Sequence, residues 1–326
     1  MGVPYTLNNL RVIYPPKKEN DGVFEKRCGC HCFMKIAAFP KCYLDDIVAG
    51  KMSLFTWIEQ AKTLGAEGLE LYDGFLESLE PAYLARVAEA IQAAGLAMPM
   101  LCCSPDFTQP DPSARQRAIE REAQLIEATA RLGGGWCRVL SGQRYPEVPV
   151  EQGIEWVLAA YQQLLPVARE FNVVLAMENH YKDGFWKYPE FAQKQAVFLA
   201  IVNAMTEREF FGVQYDPSNA IVAGDDPLAL LQAVKARVVT MHASDRYLAE
   251  GTSLAELRQS DGTLGYSPNL RHGVTGQGLN DYDAIFSLLA EVGFDGWVSI
   301  EDGMNGMAEM KASVDFLKKM RAKYFG

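Results

Sequence analysis

The stretch Leu64-Gly65-Ala66-Glu67-Gly68-Leu69-Glu70-Leu71-Tyr72 joins a helical pattern to a short apolar run through a glycine. The phrase returns as Ala94-Gly95-Leu96 and as Val292-Gly293-Phe294-Asp295-Gly296, which leads into Trp297-Val298-Ser299-Ile300. A glycine just past a helix takes the left-handed conformation that closes the last turn. When a buried strand follows within a few residues, the unit is the helix-to-strand turn of a parallel sheet. Gly133 stands in the same relation to the helical pattern of Ala114–Leu132.

Outward from these turns, eight β-rich apolar runs recur: Cys32–Phe39, Gly68–Tyr72, Leu96–Cys102, Cys137–Leu140, Val173–Met177, Phe211–Tyr215, Val238–Met241 and Trp297–Ile300. Between them, stretches such as Leu54–Leu64, Tyr83–Ala94, Ile154–Phe171 and Tyr282–Val292 carry apolar residues at helical spacing. Ser53 is the expected N-cap of the first. An open doubly wound sheet usually has a glycine-rich loop after its first strand, whereas here that strand runs into Pro40-Lys41-Cys42-Tyr43. The α/β pattern therefore predicts a single (β/α)8 TIM barrel over residues 31–326. A polar, proline-bearing N-terminal extension over 1–30 precedes it. The spacing is uneven once, since 59 residues separate Met241 from Ile300. A long loop between strands 7 and 8, from Tyr247 to about Val274, is expected to lie ordered over one barrel mouth, with Gly251, Gly262, Gly265 and Pro268 shaping it.

The chain has 326 residues, and its 49% hydrophobic and 22% charged content excludes disordered, collagen-like and disulfide-scaffold classes. No apolar run approaches the ~18 residues of a membrane span. The formal charge of −10 argues against nucleic acid as partner. Asn8, Asn9 and Arg11 interrupt any signal-peptide core, so a cytoplasmic protein with reduced thiols is expected. The Cys28-Gly29-Cys30-His31-Cys32 cluster lacks the second CxxC pair that would close a tetrahedral zinc site.

In a barrel of this type the chemistry sits where the strands end. Strand five ends in Glu178, strand six in Asp216, strand seven in His242 and strand eight in Glu301. One carboxylate at a strand end reads as a helix cap or a solvated rim residue. Three carboxylates and an imidazole converging from adjacent strands require a cation, because the carboxylates would otherwise repel each other and hold protons. That hard donor set suits Mn²⁺ first, with Mg²⁺ or Co²⁺ as alternatives.

The set Met177-Glu178-Asn179-His180, Tyr215-Asp216-Pro217-Ser218-Asn219, Met241-His242 and Gly296-Trp297-Val298-Ser299-Ile300-Glu301 resembles the xylose-isomerase-like TIM barrels, and within them the sugar phosphate isomerase/epimerase branch that includes the ketose 3-epimerases. Gly68-Leu69-Glu70-Leu71-Tyr72 and Gly276-Gln277-Gly278 support the resemblance, which spans residues 33–320. It implies a divalent metal held by Glu178, Asp216, His242 and Glu301. It also implies α-proton abstraction through an enediolate that the metal stabilises, with Glu178 and Glu301 as the acid/base pair.

Further candidates for substrate contact are His180, Arg246, Glu70, Trp186 and His272. His180 lies two residues past Glu178 and shares its face if the strand continues, so it contacts a sugar hydroxyl, acts as an extra acid/base or simply meets the rim. Arg246 binds a substrate oxygen or a phosphate. Glu70 holds substrate or orients an imidazole, its plain alternative being a pair with Arg138 or Lys35. Trp186, beside Phe185, stacks on a sugar or packs the rim, and His272 contacts substrate or lid. No basic cluster ends a strand, so an unphosphorylated substrate is expected.

Two other functions compete with isomerisation or epimerisation of a sugar. The same first step permits a metal-dependent lyase or dehydratase on a 3-keto sugar or glycoside, as in a C-glycoside deglycosidase catalytic subunit. A non-catalytic sugar-binding barrel would be free to lose Glu178 or Glu301, and both are present. The expected partners are a small sugar, neither nucleic acid nor membrane, and either a second copy or a distinct subunit.

Overall fold

The computed structural model describes residues 34–259 and 269–326. The extension expected over 1–30, the Cys28–Cys32 cluster, and Gly262, Gly265 and Pro268 of the long loop lie outside the described residues.

The first strands are β1 (Lys35–Ala38), β2 (Gly68–Leu69), β3 (Leu71–Tyr72) and β4 (Met100–Cys102). They are followed by β5 (Trp136–Val139), β6 (Val174–Glu178), β7 (Phe211–Tyr215) and β8 (Val238–Ala243). A separate two-stranded ribbon, β9 (Asp245–Leu248) and β10 (Leu270–Gly273), comes before β11 (Trp297–Ile300). The main sheet runs β2-β1-β11-β8-β7-β6-β5-β4-β3, with every pairing parallel. β2 and β3 are halves of one apolar run, separated at Glu70. The first half pairs with β1 and the second with β4. Since one run bonds to both ends of the sheet, the ring closes, and the eight expected strands form the barrel.

The helices are α1 (Leu44–Val48), α2 (Leu54–Ala61), α3 (Pro81–Ala93), α4 (Pro112–Arg131), α5 (Val150–Phe171) and α6 (Gln195–Ala204). They continue as α7 (Pro217–Ala223), α8 (Pro227–Val234), α9 (Leu254–Gln259), α10 (Tyr282–Glu291) and α11 (Met307–Tyr324). Seven of these return the chain from one barrel strand to the next and α11 follows the last strand, while α1, α7 and α9 are short additions in the strand-to-helix loops. Ser53 caps α2 by accepting the Thr56 N–H. Gly65, Gly95, Gly133 and Gly293 all adopt positive φ, between 70° and 86°. The helix-to-strand turns read from the sequence therefore stand. α4 starts earlier than its apolar spacing suggests, because Asp111 caps it and Pro112 occupies its first turn.

Both faces of the sheet are covered, so its strands are buried along almost their whole length, as parallel strands require. Side chains of opposite strands meet inside the ring, where Thr240 on β8 donates to the Met100 sulfur on β4 at 3.7 Å. That contact marks the inward face of β8. With a period of two, His242 shares it.

The long loop starts earlier than expected, at Asp245, where β9 follows β8 after a single residue. β9 and β10 pair antiparallel, with Arg246 opposite His272 and Asp245 opposite Gly273. The Gly276-Gln277-Gly278 turn then wraps the Asp245 carboxylate, to which the N–H groups of Gly276, Gly278 and Asn280 donate at 3.0, 2.9 and 3.2 Å. A side chain at Gly278 would collide with the Arg246 carbonyl and the Asp245 carboxylate. Glycine is required there by close approach.

Candidate metal centre

Four strand ends deliver Glu178 (β6), Asp216 (after β7), His242 (β8) and Glu301 (after β11) to one place. One ligand atom from each lies within 4.8 Å of all the others, and all four residues are buried. The His242 Nδ1 atom faces Glu178 Oε1 at 3.3 Å and Glu301 Oε2 at 3.5 Å, yet has no hydrogen-bond partner. A buried imidazole nitrogen turned toward two carboxylates and left unpartnered is suited to a cation between them. The donor set of three carboxylates and one imidazole fits a hard or borderline divalent ion.

The other imidazole nitrogen explains Glu70. His242 Nε2 and Glu70 Oε2 are 2.8 Å apart, and neither side chain is exposed. Glu70 thus stands behind the imidazole and fixes which nitrogen faces the cluster, the arrangement that orients metal-bound histidines generally. The break between β2 and β3 places it there. It pairs with neither Arg138 nor Lys35; the latter's ammonium lies over the Trp297 ring.

Arg138 and Lys41, which sequence reasoning did not place in the site, hold the outer oxygens of the two glutamates. Arg138 on β5 donates from Nη1 to Glu178 Oε2 at 2.9 Å, from Nη2 to Ser104 Oγ at 3.0 Å and from Nε to the Cys103 carbonyl at 3.2 Å. Lys41, just past β1, donates to Glu301 Oε1 at 2.9 Å. The remaining oxygens, Glu178 Oε1 and Glu301 Oε2, are the ones that face His242. Each glutamate is therefore presented edge-on, one oxygen inward and one held by a cation. The signal for Arg138 was a lone arginine within an apolar strand, a residue almost never buried without a partner.

Asp216 combines two roles. It caps α7 by accepting the Asn219 N–H at 2.9 Å, and it accepts the Ser244 hydroxyl at 3.0 and 3.1 Å on its two oxygens. Asn179 locks this strand end by exchanging hydrogen bonds with the Asp216 backbone. The acidic strand end thus caps a helix while its carboxylate also lies within the cluster.

The electrostatics are those of a crowded anionic site. Burial pushes the Asp216 carboxyl up, and Glu301 and Glu178 add to this, so that it reaches about 7. Burial also disfavours charge on Glu178, but Arg138 and His242 outweigh it and bring its carboxyl down to about 2. Lys41 and His242 likewise hold Glu301 well below the usual carboxylate range against its burial. Burial alone would make His242 less basic, yet Glu70, Glu178 and Glu301 raise it well above an ordinary imidazole. Without a metal the site keeps protons that a divalent ion must displace.

The remaining sequence candidates surround this centre unevenly. His180 is buried against the Tyr181 ring, with Nδ1 3.7 Å from Glu190 Oε2. Glu190 was not anticipated, and its other oxygen is held by the backbone N–H and hydroxyl of Ser141. Arg246 is buried on β9, with His272 opposite it on β10. Trp186 lies in the loop after β6, half-buried, next to a Phe185 that is 66% exposed. Cys42, Cys102, Cys103 and Cys137 are free thiols. Among the described residues, no helix is long and apolar enough to cross a membrane.

A closed parallel barrel with three carboxylates and an imidazole buried at its strand ends is the framework of a metal-dependent catalytic barrel. The chain belongs to the xylose isomerase-like TIM barrel family, whose model matches residues 58–320. Over 152 residues it is 22% identical to an inosose dehydratase of Lacticaseibacillus casei, covering 45% of this chain and 47% of that one. The match thus spans about half the length of that relative. Among solved structures, the IOLI protein with a bound zinc atom superposes with a TM-score of 0.68 at 18% identity, over 90% of this chain and 100% of that one. A D-tagatose 3-epimerase-like protein gives 0.68 at 15% identity, over 89% and 98%.

Proposed function

We propose that this protein is a divalent-metal-dependent isomerase or epimerase acting on a sugar or sugar derivative by removal of a proton next to a carbonyl. The observation that carries the reading is the pair of glutamates, each with one oxygen beside His242 Nδ1 and the other held by a cation. A divalent ion held by Glu178, Asp216, His242 and Glu301, with Mn²⁺ the first choice, would supply Lewis-acid polarisation of the carbonyl.

The protein's own groups do the rest. Glu178 and Glu301 serve as the acid/base pair, entering from different strands on either side of His242. They are not equivalent. Arg138 is fixed by three hydrogen bonds, so the outer oxygen of Glu178 stays occupied. Lys41 is a flexible ammonium, one-fifth exposed, that can leave Glu301 as substrate enters. Glu301 is therefore the freer proton carrier, and Glu178 the more rigidly held. His180, two residues past Glu178 and with Nδ1 3.7 Å from Glu190 Oε2, is buried where it can contact a substrate hydroxyl.

The second reading is elimination from the same enolised carbonyl compound, as in a 3-keto sugar or glycoside lyase. It is favoured by the inosose dehydratase likeness and by the aromatic loop of Phe185 and Trp186 that follows Glu178 and β6. One experiment separates the two. Deuterium incorporation from D₂O is followed by NMR in a panel of ketoses and 3-keto glucosides with added Mn²⁺. Label next to the carbonyl of a recovered or epimerised sugar supports the first reading. Label in a fragment that has lost its C1 substituent supports the second. E301Q and E178Q should each lower exchange by several orders of magnitude, and near-normal exchange in either removes that residue from the pair.

A further inference from the structure

Arg246 is only 4% exposed, and among the described residues no carboxylate pairs with its guanidinium. Its Nε is buried without a hydrogen-bond partner. The group lies 5.6 Å from the Tyr181 ring centroid, a contact that stacks the cation without neutralising it. The one other buried arginine among the described residues, Arg138, is answered by Glu178. A buried guanidinium with no counter-charge is costly, and proteins keep such a group where a ligand completes it.

One further cation, Lys41, and a neutral imidazole stand close by, with the Glu301 carboxylate beyond them. His272 faces Arg246 across the β9–β10 ribbon, and its Nδ1 is also buried without a partner. Lys41 stands nearby on Glu301, close enough that its charge and that of Arg246 both act on the His272 ring. Burial and those two charges bring the imidazole down to about 3, so His272 is neutral and able to hydrogen-bond without adding charge. The ribbon thus sets Arg246, His272 and Lys41 beside the Glu301 edge of the metal centre.

We propose that Arg246, with His272 and Lys41, forms an anion subsite next to the metal centre, and that the substrate carries an acidic group, a carboxylate or a phosphate, which this subsite receives. An unphosphorylated substrate is expected where no basic cluster ends a strand, although Arg246 alone is a candidate for a substrate oxygen or a phosphate. Its burial on the ribbon beyond β8, and the approach of Lys41 from beyond β1, are visible only in the fold. The proposal rests on the functional reading above for the location of the reacting centre. The anion site itself stands on the unpaired guanidinium.

The test uses the Mn²⁺-loaded full chain and measures binding and thermal stability, not turnover, so its failure is separate from failure of the proton-exchange experiment. Inorganic phosphate and malonate are titrated at constant ionic strength against a chloride control. The expected result is saturable binding of at least one, weakened by about tenfold or more in R246Q, while Mn²⁺ affinity stays within about twofold. A stronger response to phosphate assigns a phosphorylated substrate, and a stronger response to malonate a sugar acid. In the anion-free protein, R246M should raise the melting temperature, since it removes an unanswered buried charge; R246K keeps the charge and should not. A lower melting temperature for R246M, or anion binding equal in wild type and R246Q, or no response beyond chloride, overturns the proposal.

Discussion

Glu70 offers the sharpest separation between a residue that supports the metal centre and one that touches substrate. In E70Q the side chain keeps its shape but loses the charge that faces His242 Nε2 at 2.8 Å. Outer partners of this kind are worth 10–100-fold in metal affinity, about 1.4–2.7 kcal/mol. Glu70 also makes His242 more basic, which favours the proton that competes with the ion. A dication gains more from the carboxylate than a single proton does, so the net change remains a loss. Ligand linkage converts it into stability. With Mn²⁺ at about 100 times the wild-type Kd, metal binding stabilises the wild type by about 2.7 kcal/mol. The same concentration stabilises E70Q by only about 0.4–1.4 kcal/mol, since its ratio of ion to Kd falls to between about 1 and 10. Isothermal titration of the metal-free proteins with Mn²⁺, and urea denaturation at fixed Mn²⁺, measure the two quantities. An E70Q affinity within about twofold of wild type would refute the reasoning. If it came with a raised substrate KM, Glu70 would be a substrate contact after all.

Other substitutions test the rest of the framework. R138M leaves the Glu178 carboxylate buried without its guanidinium, so metal-free stability should fall by about 3–5 kcal/mol and recover in part with Mn²⁺; a loss under about 1 kcal/mol in urea denaturation would contradict the pairing. Glu122 on α4 is buried against the Cys137 thiol, and burial holds its carboxyl well above the usual range. The native state thus keeps a proton that the unfolded chain releases above about pH 4.5, so wild-type stability should decline as pH rises from there, by up to about 1.4 kcal/mol per pH unit. E122Q removes that slope, and parallel wild-type and E122Q curves between pH 5 and 7 would disprove the assignment. G278A forces a methyl group against the Arg246 carbonyl and the Asp245 carboxylate, and should cost about 1–3 kcal/mol; an unchanged melting temperature would show that the turn has room.

Much of the fold was legible because local chemistry and global architecture agree along the chain. Left-handed glycines after helices and buried apolar runs that follow them define a parallel barrel without long-range information. The four acidic and histidine strand ends were legible for a related reason. In a parallel barrel every strand ends at the same face, so order along the chain converts directly into proximity. The second strand was harder to read, because its break at Glu70 depends on pairing with β1 on one side and β4 on the other.

The sequence by itself determined the class of fold, the strand count and the convergence of Glu178, Asp216, His242 and Glu301, since these follow from periodicity and turn chemistry. Only the tertiary structure decided which charges meet. Arg138 goes to Glu178, Lys41 to Glu301 and Glu70 to His242, across separations of 40, 260 and 172 residues. Nothing in the local sequence encodes such pairings, because they depend on barrel closure and on which face each strand turns inward. The same closure buries Arg246 with no carboxylate paired to it among the described residues, and a missing counter-charge is read from placed neighbours, never from local sequence.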